Sequence, residues 1–80
     1  MSEGIPPNLR WKDFLRAIQK LGYSLYESKR GSARTFRNPN RIPEFVTFHE
    51  PHGSDPLRKG TLRDYINKLA LQPKEFLELL

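Results

Sequence analysis

The 80-residue chain has no cysteine. Disulfides and thiolate metal sites are thereby excluded, and the composition fits a reducing compartment. Long apolar runs are missing as well, and the first ten residues, MSEGIPPNLR, carry no apolar leader core. The expectation is a cytoplasmic protein with no membrane span. Carboxylates are scarce: nine Asp and Glu face fourteen Lys and Arg, for a formal net charge of +5. A surplus of this size in a short chain favours an acidic partner, with a merely solvated basic surface as the plainer alternative. Eight of the fourteen basic residues are arginine, whose planar fork grips phosphate and carboxylate through two donors at once.

Apolar residues are spread along the whole chain, and its length suits one domain with a small core. Residues 1–7 read as a loose tail and residues 8–80 as a single domain. Trp11, Phe14, Leu15, Ile18 and Leu21 follow helical spacing, with Asn8 as a candidate cap and Gly22 as the stop. Residues 23–29 read as a strand, residues 30–32 as a turn and residues 33–37 as a second strand. Asn-Pro and a further proline make residues 38–43 a loop. A third strand spans 44–50 and ends at Pro51. Thr61 is expected to cap a second helix, with Asp64 completing a capping box. Leu62, Tyr65, Ile66 and Leu69 form the buried stripe of that helix. Gln72-Pro73 opens a short closing helix. The order is α-β-β-β-α-α. This is a two-layer α+β domain, with a three-stranded antiparallel sheet covered on one face by the two main helices.

Burial fixes which face each strand residue takes. Phe36, Val46 and Phe48 must point inward together, so even-numbered positions on the second and third strands are core-facing. Ala33, Thr35, Thr47 and His49 then lie on the open face. A hairpin around residues 40–42 brings Ala33 and His49 close together. Arg34 shares the inward parity and is expected to snorkel at the sheet edge.

The stretch RGSARTFRNP, residues 30–39, has three arginines and no side chain able to move a proton. The neighbouring strand supplies one in His49, and His52 follows three residues later. RNA carries its own nucleophile, the 2′-hydroxyl. Cleaving it requires a base, cations for the developing phosphorane charge, and positioning. His49 with nearby Lys or Arg meets that requirement. The plainer readings are a polar strand residue for His49, a turn residue for His52, and a solvated face for Arg58 and Lys59. His49-x-x-His52 lacks a third ligand at recognisable spacing, so no metal site is expected. Trp11, Phe14 and Tyr23 read as core, whereas Tyr26 is a candidate stacking residue.

Several segments in order resemble the HicA family of small bacterial toxins. They are the Trp11-to-Gly22 helix ending in LGY, the Gly31-Ser32 turn, Pro51-His52-Gly53, LRKGTLRDYI and the closing QPKEFLELL. The resemblance implies a fold like that of double-stranded-RNA-binding domains. It also implies an mRNA interferase, an endoribonuclease needing no metal or other cofactor. The family's partners would be mRNA and a HicB-type antitoxin, in a type II toxin–antitoxin pair. In the best-known members a catalytic histidine follows the Gly-Ser turn; here that position is Ala33. Three readings follow. In the first, the chain resembles a branch with an H-x-P-H pattern, which His49-Glu50-Pro51-His52 fits. In the second, the histidine was replaced to make an active toxin easier to express. In the third, the protein binds RNA or an antitoxin without cutting. The site expected on this basis has His49 and His52 beside Ala33. Lys29, Arg30, Gly31, Ser32, Arg34, Lys59 and Arg63 are placed around the phosphates.

Two rival functions remain at the level of sequence. A non-enzymatic RNA-binding module would use shape and phosphate contacts and need no histidine. A protein-interaction domain would use its charge only to match an acidic partner, and its RNA binding would lack a steep salt dependence.

Overall fold

The computed structural model describes residues 4–28 and 30–80. A two-residue strand β1 (Asn8–Leu9) precedes helix α1 (Trp11–Leu21). Strands β2 (Ser24–Ser28), β3 (Ala33–Arg37) and β4 (Phe45–His49) follow. A short strand β5 (Leu57–Arg58) leads directly into α2 (Lys59–Lys68), and α3 (Pro73–Leu77) closes the chain. The expected small α+β architecture is present: β2, β3 and β4 form one antiparallel sheet in that order.

Helix α1 buries Phe14, Ala17 and Ile18 at helical spacing, with Asp13 in its first turn and Lys20 in its last, both matched to the helix dipole. It stops at Gly22, whose φ of 105° is left-handed. A Cβ there would also lie 2.9 Å from Asn38 Nδ2. That amide is in place because it donates to the Leu21 carbonyl at 2.8 Å. Glycine is thus required twice over, by backbone conformation and by space.

The core is aromatic. Phe14 stacks on Trp11 with ring centroids 5.5 Å apart and meets Phe48 edge-on at 5.0 Å. Tyr65 of α2 lies 4.7 Å from Phe48, and Phe76 of α3 lies 5.8 Å from Phe14. Helices and sheet therefore meet ring to ring, each pair adding to the area it buries. Phe36, Val46 and Phe48 are all buried, as the parity argument requires.

Four local expectations are corrected. The packed region begins inside the segment read as a tail, because Ile5 is 4% exposed and belongs to the core. Asn8 does not cap α1; it pairs with Arg58, and Leu9 with Leu57, tying the start of the chain to the approach of α2. Helix α2 starts at Lys59, with Arg58 at the cap, so Thr61 and Asp64 lie within the helix and form no capping box. The capping box belongs instead to α3, where the Glu75 carboxylate accepts from the Gln72 backbone N–H at 2.8 Å. Finally, Tyr23 precedes β2 rather than opening it, and is buried. Its hydroxyl donates to the Pro43 carbonyl at 2.6 Å.

Candidate functional site

Strands β3 and β4 pair with residue numbers summing to 82, so Ala33 stands directly opposite His49. Glu50 N–H donates to the Ser32 carbonyl, and Asn38 N–H to the Glu44 carbonyl. Even-numbered pairs are therefore the hydrogen-bonded ones, and Ala33–His49 is a non-hydrogen-bonded pair. In such pairs the side chains approach most closely. The next pair on the same face shows it: the Thr35 and Thr47 hydroxyls are 2.8 Å apart. The methyl of Ala33 leaves room beside it, and the exposed imidazole of His49 sits there with Nδ1 3.2 Å from Ser32 Oγ.

Because the odd pairs do not bond to each other, the His49 backbone points away from β3, to the free edge of β4. Tyr65 of α2 closes that edge. Its hydroxyl accepts from the His49 N–H at 3.1 Å and donates to the His49 carbonyl at 2.9 Å. One turn on, Lys68 donates to the Thr47 carbonyl at 3.1 Å. Helix α2 thus satisfies the backbone groups that an edge strand would otherwise expose. The exposed histidine stands on a backbone held from both sides.

The turn opposite is braced as well. Gly31 has a φ of 82°. Arg34 Nη1 donates to the Gly31 carbonyl at 2.9 Å and to the Ala33 carbonyl at 3.0 Å. Its Nε lies 3.3 Å from Glu50 Oε1, which links the turn to the end of β4.

His52 is exposed three residues beyond His49, and two clefts meet there. One, of about 250 Å³, is lined by His49, His52, Arg58, Thr61 and Tyr65 among others. The other, of about 320 Å³, is lined by His52 with Gly31, Ser32, Arg34 and Glu50 among others. The structure therefore gathers His49, His52, Ala33, Ser32, Gly31 and Arg34 at one end of the sheet. Arg30 is exposed in the same turn. Lys59 and Arg63 are exposed on α2 and line neither cleft. Lys29 lies outside the described residues. Among the lining residues missed as site members are Arg58, Thr61 and Tyr65. Their spacing of three and then four residues, which places them along one helical face, was the available signal. Among the described residues, no three His, Asp or Glu side chains come together as metal ligands, and no helix is long and apolar enough to cross a membrane.

The family described as the HicA toxin of bacterial toxin–antitoxin systems matches residues 11–71. The chain belongs to the HicA family. It is accordingly a toxin of a toxin–antitoxin pair, with a cognate antitoxin as partner. The HicA match spans α1, the three-stranded sheet and α2. It ends before α3, so the likeness of QPKEFLELL to the family's closing segment lies outside it. No curated protein and no solved structure matches the chain.

Proposed function

We propose that this HicA-family toxin is a metal-independent endoribonuclease that cleaves mRNA in the bacterial cytoplasm, with His49 moving the proton. The observation that carries this reading is the cross-strand pairing of His49 with Ala33. Through it, β4 supplies an imidazole beside the position where the best-known members of the family have theirs. The contact with Ser32 gives that imidazole a defined orientation. When Nδ1–H donates to Ser32 Oγ, the Nε2 lone pair is left as the base.

The chemistry then balances without a further reagent. Nε2 takes the proton of a 2′-hydroxyl, and the 2′-oxygen bonds to the adjacent phosphorus. The bond from phosphorus to the 5′-oxygen breaks. The leaving oxygen takes a proton from an imidazolium, for which His52 in the shared cleft is the candidate. The products are a 2′,3′-cyclic phosphate and a 5′-hydroxyl end. Arg30, Arg58, Lys29, Lys59 and Arg63 are the candidates to meet the phosphates. The N–H groups of Gly31 and Ser32 are candidate donors to a non-bridging oxygen. Arg34, held by two carbonyls and Glu50, contributes chiefly by fixing that turn.

Ala33 also supports a second reading, an inactive homologue that binds RNA or the antitoxin without cutting. The test incubates a long unstructured RNA with the protein in EDTA, beside His49→Ala and Ala33→His. Cleavage by the parent that falls about 10²–10⁴-fold in His49→Ala establishes the enzyme. Cleavage by Ala33→His alone establishes a disabled interferase. No cleavage by any of the three overturns the proposal in favour of a binding module.

A further inference from the structure

Resting on that reading, we infer that Tyr26 and Phe45 form a stacking site for unpaired RNA bases on the open face of the sheet, one sheet-length from His49. Three observations carry the inference. The first is a β-bulge in β2. Leu25 pairs with Phe36 and Glu27 with Thr35, so Tyr26 is the extra residue. Alternation puts Tyr26 on the open face with Ser24, and the bulge after Leu25 leaves it unpaired there, its ring edge to face with Phe45 at a centroid distance of 5.1 Å. The second is exposure. Tyr26 is 60% and Phe45 48% exposed, and neither ring belongs to the core cluster. The third is position. Phe45 and His49 share the open face of β4, four residues or about 14 Å apart. The paired hydroxyls of Thr35 and Thr47 make a neutral row between them.

The local charge says which part of the RNA fits. Arg37 lies over the Phe45 ring at 5.7 Å, but its Nε is 2.7 Å from the Glu44 carboxylate. The guanidinium beside the rings is already paired, which leaves it little charge to offer a phosphate. The rings offer a neutral π-surface, which suits bases of any identity. Phosphates are left to the arginines at the His49 end, Arg30 and Arg58 among them. A strand cut at His49 then lays its flanking bases along the sheet toward Tyr26.

The test uses the full chain carrying His49→Ala, so that RNA is bound without being cut. Binding of a labelled single-stranded RNA and of its duplex is followed by anisotropy across a salt series, after melting curves confirm that each variant folds. Tyr26→Ala and Phe45→Ala are each expected to weaken single-strand binding about 5- to 150-fold. The slope of affinity against salt should not change, because no phosphate contact is lost. Tyr26→Phe should restore affinity. Unchanged affinity in both alanine variants overturns the stacking site and leaves RNA binding itself intact. An equal loss on duplex RNA, or a flatter salt slope, also overturns it. Failure of every protein, including the parent, to bind RNA overturns the proposed function together with this inference.

Discussion

Replacing Tyr65 by phenylalanine removes one oxygen and leaves the ring, packed on Phe14 and Phe48, in place. What is lost is the hydroxyl that bonds both to the N–H and to the C=O of His49. Each such bond is worth about 1 kcal/mol net, so the pair is worth about 2 kcal/mol. In a domain of this size that lowers Tm by about 8–16 °C. The loss is also local. The His49 amide, freed from its one acceptor worth about 1 kcal/mol, should exchange with solvent about 5-fold faster through local opening, at 1.4 kcal/mol per factor of ten. Lys68→Ala is the control: it removes a donor from the same edge, at the exposed Thr47 carbonyl, and should change stability by no more than about 0.5 kcal/mol. Thermal melts and amide exchange read the two effects separately. Equal melting temperatures for Tyr65→Phe and the parent, with unchanged exchange at His49, refute the claim that α2 clamps this strand end.

Substitutions at two further positions test other parts of the structure. Ala70 follows α2 with a φ of 58°, a conformation that strains any residue with a Cβ. Ala70→Gly should gain about 0.5–1 kcal/mol after the entropy it returns to the unfolded chain, seen as a Tm rise of about 2–8 °C; a lower Tm contradicts the strain argument. Arg34→Ala should destabilise by about 1 kcal/mol and slow single-turnover cleavage several-fold. Arg34→Lys should behave like the alanine variant, because an ammonium lacks the fork that reaches two carbonyls and Glu50 together. Full activity in Arg34→Lys would show that charge, not bracing, is what the site uses.

Much of the site was legible because burial leaves little choice of register. Once Phe36, Val46 and Phe48 must face inward, Ala33 and His49 share the open face close together, and the structure pairs them directly. The end of α1 was equally legible, since Gly22 has a conformational reason to be there. Other features leave no periodic trace. A two-residue strand such as Asn8–Leu9 has no alternation to detect, and Ile5 is a lone apolar residue whose burial depends on distant partners. The start of α2 was misplaced by three residues, the cap lying at Arg58 and not Thr61, because Thr61 and Asp64 satisfy a local capping pattern. The pairing of Leu57 and Arg58 with β1 sets the boundary instead. Tyr65 reads from sequence as an apolar stripe residue, and its ring is one; only the fold shows where its hydroxyl lands. The bulge at Tyr26 was hidden for a related reason. An extra residue appears only when β2 is laid against β3.

The edge closed by Tyr65 and Lys68 has a consequence for self-association. Helix α2 covers one lateral side of the sheet, whereas among the described residues no strand pairs with the outer side of β2. Strand-to-strand addition to this sheet therefore meets occupied backbone groups at the His49 end of β4 and an open flank along β2. Two copies joined β2 to β2 about a two-fold axis would each spend that open flank and turn the side braced by α2 outward. Pairing of that kind favours a closed dimer over a growing stack.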